Sequence, residues 1–192
     1  MKKILTIVIP TYNMEAYLDR CLSSLILDDK DLMAKLEVLV VIDGATDGSS
    51  RIAHSYETSY PDTFCVIDKE NGNYGSCVNR GLKEANGKYI KVLDADDRFG
   101  TQSFQAFLTM LDTIDVDCIM SDTYKEESDG TICQKIMYSF PHSKVFSIEE
   151  VIKVPSEHMW MHSVTYRTAL LRRISYHQTE GISYTEDRKS VV

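Results

Sequence analysis

The chain has 192 residues, of which 43% are hydrophobic and 26% charged, and its formal net charge at pH 7 is −8. This length and composition suit one globular domain with a sizeable core. The acidic balance argues against nonspecific nucleic-acid binding, which needs a basic face. No apolar run approaches the roughly 18 residues that cross a bilayer. We therefore expect a cytoplasmic protein with no nucleic-acid partner, while peripheral contact with a membrane stays open.

The five cysteines are scattered and contain no Cys-x-x-Cys pair, which favours reduced thiols and argues against a zinc site.

Strand and helix patterns alternate in the first half of the chain. Strands are predicted at residues 5–9, 37–42, 63–67 and 89–93, and helices at 15–27, 48–60 and 76–85. The acidic run at 28–31 reads as a solvated connector, and Asn86-Gly87 as the C-cap of the third helix. Four strands joined by three helical crossovers predict an α/β fold with a doubly wound, mostly parallel sheet.

The pattern changes after Phe99. A helix is predicted at 101–113, a strand at 117–121, and a hairpin around the turn signal Ser-Asp-Gly-Thr at 128–131. Residues 147–150 match a capping box that opens a short helix. An apolar segment at 159–166 and a helix at 168–174 follow. These elements predict a small antiparallel extension of the sheet.

Three carboxylates follow the fourth strand, at Asp94, Asp96 and Asp97. Burying them unpaired would be costly, so they belong at the exposed C-terminal end of the strand, where α/β sheets bind ligands. Two carboxylates spaced Asp-x-Asp can hold Mg²⁺ or Mn²⁺ and leave positions open for phosphate oxygens. The alternative is an acidic turn that caps the next helix.

Several motifs, in this order, resemble a glycosyltransferase of family 2 with the nucleotide-diphospho-sugar transferase (GT-A) fold. They are VIPTYN at 8–13, VIDGATDGS at 41–49, NGNYG at 71–75, NRG at 79–81, ANGKY at 85–89 and LDADD at 93–97. The resemblance covers about the first hundred residues, and beyond them only Thr185-Glu186-Asp187 matches. One position departs from the family pattern, since Ile42 stands where the first Asp of Asp-Asp-Gly-Ser is common.

The resemblance implies roles for residues of the first half. Thr11 and Asp43 would contact the nucleoside, although Asp43 could instead serve only as a turn former. Asn73 would lie near the nucleotide, or alternatively act as the N-cap of the third helix. Asp94 would face the ribose or the metal, and Asp96 would be a direct metal ligand.

The resemblance also implies an acceptor side in the second half. Asp187 would be the catalytic base that removes the proton from an acceptor hydroxyl, with Glu186 beside it. A one-step displacement of this kind inverts the anomeric centre. Trp160 and His162 could contact the acceptor, but a Trp in an apolar segment is more often a core residue, and His162 stays open between the two roles.

We therefore expect a single GT-A-like (Rossmann-like) domain over residues 1–192, with a nucleotide-sugar-binding half at 1–99 and an acceptor-facing half at 100–192. The expected activity is metal-assisted, inverting transfer of a sugar from a nucleotide-sugar, most plausibly a UDP-sugar, to a hydroxyl of a glycan or lipid-linked glycan. The alternative is a truncated nucleotide-sugar-binding domain without turnover. A Rossmann dehydrogenase is excluded because Gly-x-Gly-x-x-Gly does not follow the first strand.

Overall fold

The computed structural model describes residues 2–127, 130–138, 140–142, 144–151 and 163–181. Its central feature is a set of four parallel strands: β1 (Leu5–Thr11), β2 (Leu36–Asp43), β3 (Phe64–Lys69) and β4 (Tyr89–Val92). Strand β1 pairs with β2 on one side and β4 on the other, and all seven of its residues are buried. Burial along the whole length of a strand is expected where helices cover both faces of the sheet.

Further strands complete the described structure. They are β5 (Cys118–Met120), β6 (Thr123–Glu126), β7 (Ile132–Ile136) and β8 (Val164–Arg167). Within the described residues, the main sheet has six strands in the order β3-β2-β1-β4-β8-β5, and β8 runs antiparallel to both of its neighbours. The mostly parallel sheet with an antiparallel extension is confirmed.

Helices cover both faces of this sheet. Along the chain, they are α1 (Glu15–Ser23), α2 (Lys30–Lys35), α3 (Ser49–Ser59), α4 (Asn73–Glu84), α5 (Thr101–Thr113), α6 (Ile148–Val151) and α7 (Thr168–Arg173). The larger core lies on one face and takes Leu18 from α1 and Phe104 from α5. The smaller core lies on the other face, where Leu82 of α4 and Leu171 of α7 pack on Val8. Among the described residues, no helix has the length and apolar character needed to cross a membrane.

Two predictions around the first helix were wrong. Helix α1 ends at Ser23 rather than at residue 27, and the expected connector at 28–31 opens a second helix, α2. The Asp29 carboxylate caps α2 by accepting hydrogen bonds from the N–H groups of Asp31 at 3.0 Å and Leu32 at 3.1 Å. The acidic run at 28–31, which was predicted to be a solvated connector, thus supplies the N-cap of α2. The helix was missed because it is too short to show a periodic apolar pattern.

The predicted glycine C-cap after the third crossover helix was also wrong. Helix α4 ends at Glu84, and Gly87 does not have a positive φ. A Cβ at Gly87 would instead lie 2.4 Å from the backbone nitrogen of Thr6. Glycine is required here because the chain passes against the backbone of β1, rather than because a helix ends in a left-handed turn.

The smaller elements of the second half follow the sequence patterns. Strands β6 and β7 pair antiparallel across the predicted turn. The N–H of Ser147 donates to Glu150 at 2.8 Å and the N–H of Glu150 donates to Ser147 at 3.3 Å, which is the predicted capping box. Residues 159–162 of the predicted apolar segment lie outside the described residues.

Candidate functional site

The carboxyl ends of β1, β2 and β4 meet at one edge of the sheet, because these strands are parallel and adjacent. Thr11 is the last residue of β1 and Asp43 is the last residue of β2. Asp94 lies two residues after Val92, the last residue of β4. Thr11 is 1% exposed, and its hydroxyl donates to the carbonyl of Ile9 at 3.1 Å. The sheet therefore brings together three of the sequence-predicted site residues.

Asp43 is a buried carboxylate held by several neighbours. Its Oδ1 accepts hydrogen bonds from the ammonium group of Lys69 and from the N–H of Gly72, the latter at 2.9 Å. Its backbone carbonyl accepts from the side-chain amide of Asn71 at 3.0 Å. The register of the sheet places Asp43 beside Lys69 at the end of β3. The residue is thus more than a turn former, because it anchors the loop that leads into α4.

The loops after β1 and β2 are joined by reciprocal hydrogen bonds. The N–H of Glu15 donates to Asp47 Oδ2 at 2.9 Å, and the N–H of Gly48 donates to Glu15 Oε2 at 2.9 Å. The N–H of Thr46 donates to Asn13 Oδ1 at 2.8 Å, with Asn13 at a φ of 53°. These bonds fix the two polar motifs at residues 8–13 and 41–49 against each other.

The acidic loop after β4 is a turn, in which the N–H of Asp97 donates to the carbonyl of Asp94 at 3.0 Å. Asp94 is half-buried, and its Oδ1 accepts a hydrogen bond from the hydroxyl of Tyr74 at 2.8 Å. Asp96 is exposed, and its backbone carbonyl accepts from the guanidinium of Arg20 at 3.1 Å. The side chain of Asp96 therefore lies at the surface of the same edge.

A lysine lies buried directly before the acidic loop. Burial lowers the pKa of Lys91 to about 8, while the charges of Asp97 and Asp94 act in the opposite direction. Its ammonium group is 5.9 Å from the centre of the Phe99 ring. Because a pKa near 8 keeps the group mostly protonated at pH 7, Lys91 offsets part of the repulsion among the carboxylates.

Asp94 and Asp96 could hold a divalent cation. Among the residues that the structure describes, no three His, Cys, Asp or Glu side chains converge into a cluster that would enclose an ion. Mg²⁺ and Mn²⁺ nevertheless bind through one or two carboxylates when phosphate oxygens and waters complete the coordination. An exposed carboxylate at Asp96 and a half-buried, hydrogen-bonded one at Asp94 fit that kind of open site.

Asn73 is the first residue of α4 and has a φ of 67°. The N-cap of the helix is Gly72, without a side-chain hydrogen bond, so the alternative role of Asn73 as N-cap is wrong. Its backbone carbonyl accepts a hydrogen bond from the hydroxyl of Ser76 at 2.7 Å. Asn73 thus stays a predicted nucleotide contact in the loop that Asp43 anchors.

Helix α4 also holds the segment that follows α7. The side-chain amide of Asn79 donates to the carbonyl of Gln178 at 2.9 Å and to Glu180 Oε1 at 2.7 Å. In return, the N–H of Gln178 donates to Asn79 Oδ1 at 2.8 Å. The predicted acceptor-side residues Trp160, His162, Glu186 and Asp187 lie outside the described residues.

The sequence analysis assigned no role to the residues that support this edge: Lys69, Tyr74, Asn79 and Lys91. A signal for Lys91 was present, because a lysine interrupts an otherwise apolar strand just before three carboxylates. Lys69, Tyr74 and Asn79 lie within or beside family motifs, but their partners become evident only when the sheet is assembled.

A mostly parallel α/β sheet with an Asp-x-Asp pair at its polar carboxyl edge is the architecture of the GT-A nucleotide-sugar transferases. The family model described as glycosyl transferase family 2 matches residues 6–175. The chain therefore belongs to glycosyltransferase family 2.

Individual proteins agree with this assignment. The chain is 41% identical over 106 residues to a Mycoplasma pneumoniae protein named "Uncharacterized glycosyltransferase MG025 homolog". The aligned region covers 54% of this chain and 35% of that protein. The structure of S. aureus TarS 1-349 in complex with UDP-GlcNAc matches with a TM-score of 0.71 at 24% identity, covering 93% of this chain and 49% of that one.

A second solved structure has the same fold. The mannosyltransferase PcManGT from Pyrobaculum calidifontis, in complex with GDP-Man and Mn²⁺, matches with a TM-score of 0.60 at 18% identity, covering 91% of this chain and 47% of that one. The chain thus spans about a third to a half of the length of these three proteins.

Proposed function

We propose that the chain binds a UDP-sugar and takes part in its metal-assisted, inverting transfer to a hydroxyl of a glycan or lipid-linked glycan. One observation carries this proposal: the edge of the sheet brings Thr11, Asp43 and Asp94 together, with the exposed carboxylate of Asp96 beside them. Family membership and the match to a structure with UDP-GlcNAc support it.

The nucleoside would bind at the ends of β1 and β2. An ionised carboxylate at Asp43 accepts a hydrogen bond from a base N–H or a ribose hydroxyl. The Thr11 hydroxyl donates within the chain, so its oxygen would act towards a ligand as an acceptor. Tyr12 is 51% exposed next to Thr11, and its ring could stack on the base. Asn73 would contact the nucleotide from the opposite loop.

The diphosphate would bind at the acidic loop with Mg²⁺ or Mn²⁺ held by Asp94 and Asp96. When bound, such an ion supplies positive charge that stabilises the departing diphosphate. In support of this, the Tyr74 hydroxyl donates a hydrogen bond to Asp94, and the charge of Lys91 offsets part of the negative charge of Asp97 and Asp94. These residues therefore prepare an otherwise acidic loop for an anionic ligand.

The acceptor side would lie in the half from residue 100 onward, after the nucleotide-binding half at 1–99. There we assign the role of general base to Asp187, with Glu186, His162 and Trp160 on the acceptor side, on the family resemblance alone. A donor-binding domain without turnover is the second candidate, and a turnover measurement decides between the two.

The test is calorimetric titration with UDP, GDP and CDP, each with and without Mn²⁺. We expect UDP to bind most tightly and only weakly without the metal, and we expect Asp96→Ala to abolish the effect of Mn²⁺. Equal UDP affinity with and without Mn²⁺ would contradict the metal assignment, and binding of no nucleotide would contradict the proposal as a whole.

Turnover separates the two candidates once binding is established. UDP release from a UDP-sugar in the presence of glycan acceptors would support a transferase. Tight donor binding without release under the same conditions would support the donor-binding domain.

A further inference from the structure

The ion pair between Lys69 and Asp43 lies at the proposed base subsite. The side chain of Lys69 is 18% exposed and that of Asp43 is 4% exposed, so both charges are largely removed from water. Besides Asp43, the ammonium group donates to the carbonyl of Glu70 at 2.6 Å and to the hydroxyl of Ser76 at 2.9 Å. An ammonium group has three protons, so these three acceptors use all of them.

Because all three protons of its ammonium group are used, Lys69 is limited in how it can contact a ligand. It has no proton left for a direct hydrogen bond to a nucleotide, so it must act through Asp43. Lys69 and the N–H of Gly72 both donate to Oδ1 of Asp43. The thiol of Cys77 also forms a hydrogen bond with this carboxylate. The carboxylate is thereby fixed in orientation, and Oδ2, which has two lone pairs, can still accept a hydrogen bond from a ligand.

The charge of Lys69 also affects whether Asp43 accepts or donates a hydrogen bond. The ammonium group of Lys69 compensates the negative charge of the buried Asp43 carboxylate. A protonated Asp43 could donate a hydrogen bond, whereas the ionised form only accepts. Lys69 therefore keeps the base subsite an acceptor.

We propose that Lys69 is a specificity-determining residue that selects uracil over cytosine by keeping Asp43 an oriented, ionised acceptor. The two bases differ at the ring nitrogen N3, which carries a proton in uracil and a lone pair in cytosine. An ionised carboxylate accepts from the N–H of uracil and repels the lone pair of cytosine. This inference rests on the proposed function, since it requires the base to lie at Asp43.

The test compares UDP and CDP affinities of Lys69→Met and the wild type by calorimetry with Mn²⁺. A hydrogen bond to a charged group corresponds to roughly a 10-fold to 100-fold change in affinity. We expect Lys69→Met to lose about that factor for UDP and to bind CDP unchanged or more tightly. Lys83→Met, which removes the same charge from an exposed position of α4, should leave both affinities unchanged.

Two further variants separate specificity from folding. In an Asp43→Asn background, Lys69→Met should change the UDP-to-CDP ratio no further, because Lys69 acts through that carboxylate. Ser76→Ala, which keeps the charge but removes one acceptor of the ammonium group, should lower the ratio less than Lys69→Met. If Lys69→Met does not fold, the UDP-to-CDP affinity ratio of Ser76→Ala tests the inference instead.

Three outcomes would overturn the inference. Two concern a folded Lys69→Met: an equal loss of UDP and CDP affinity, or an unchanged UDP-to-CDP affinity ratio. The third is an unchanged UDP-to-CDP affinity ratio in Ser76→Ala, if Lys69→Met does not fold. Failure of the proposed function has a different signature, since the wild type itself would then bind neither nucleotide.

Discussion

Tyr74 of helix α4 contacts the acidic loop, where its hydroxyl donates a hydrogen bond to Asp94 Oδ1 at 2.8 Å. Removing a hydrogen bond that orients a metal ligand lowers metal affinity by roughly 10-fold or more. We therefore predict that Tyr74→Phe weakens Mn²⁺-dependent UDP binding by about 10-fold and leaves metal-free UDP binding unchanged. Calorimetry with and without Mn²⁺ measures both quantities.

The control for this prediction is Tyr17→Phe, which removes the same hydroxyl from a half-exposed tyrosine on α1. It should leave nucleotide binding as it is. Equal losses of UDP affinity with and without Mn²⁺ in Tyr74→Phe would show that the tyrosine contributes to the pocket in general and does not orient Asp94 for a metal.

At this scale, the sequence identifies residues by chemistry but does not identify their partners. Asp43 and Asp94 were predicted from the family resemblance, supported by their position at the C-terminal ends of strands. The ammonium group that holds Asp43 comes from a residue 26 positions away, and the hydroxyl that holds Asp94 from one 20 positions away. Such contacts depend on strand register, which no local pattern specifies.

Helix α4 contacts both the proposed nucleotide site and the segment after α7, and close packing at Gly75 makes the second contact possible. A Cβ at Gly75 would lie 2.0 Å from the carbonyl oxygen of Thr179, a backbone atom that cannot move alone. Alanine would favour the helix by up to about 1 kcal/mol, but overpacking of this kind costs roughly 1–3 kcal/mol.

We therefore predict that Gly75→Ala displaces the segment 176–181 and loosens its hydrogen bonds to Asn79. Hydrogen exchange followed by mass spectrometry should show faster exchange in 176–181, with the strands of the sheet unchanged. Gly100→Ala is the matched control, because the nearest atom to a Cβ there is 3.6 Å away. Unchanged exchange in 176–181 would contradict the packing argument.

Helix α5 followed from the sequence, whereas the short helix α2 and the role of Gly87 became evident only from tertiary packing. Helix α5 was predicted with the bounds that the structure has, because its apolar residues repeat with helical spacing over thirteen positions. The six-residue helix α2 was missed, since its buried Leu32 and Met33 make no periodic pattern. Gly87 was misassigned because close approach to β1 and a left-handed helix end both require glycine.

On the scale of the whole molecule, β3 is an end strand of the main sheet, and a histidine joins it to α3. The Nδ1 of His54 lies 2.9 Å from Glu57 Oε2, and its Nε2 lies 2.8 Å from Asp68 Oδ2. The hydrogen bonds with Glu57 and then with Asp68 raise the pKa of His54 above its ordinary value of 6.5. Protonation of this histidine is therefore coupled to folding.

The direction of this coupling follows from the raised pKa. A group whose pKa is higher in the folded state stabilises fully below its unfolded pKa, and the effect is lost as the pH rises through the folded pKa. The side chain of His54 is 46% exposed, so solvent screens both pairs and the contribution is roughly 0.5 kcal/mol. His54 should therefore raise the free energy of unfolding at acidic pH and not at basic pH.

We predict that His54→Gln lowers the free energy of unfolding by roughly 0.5 kcal/mol at pH 5.5 and has little effect at pH 9. Urea denaturation of wild type and variant at both pH values measures the difference, and each protein serves as its own control between them. An equal loss at both pH values would mean that His54 acts through packing or neutral hydrogen bonds, because only a charged imidazolium gives a contribution that disappears in base.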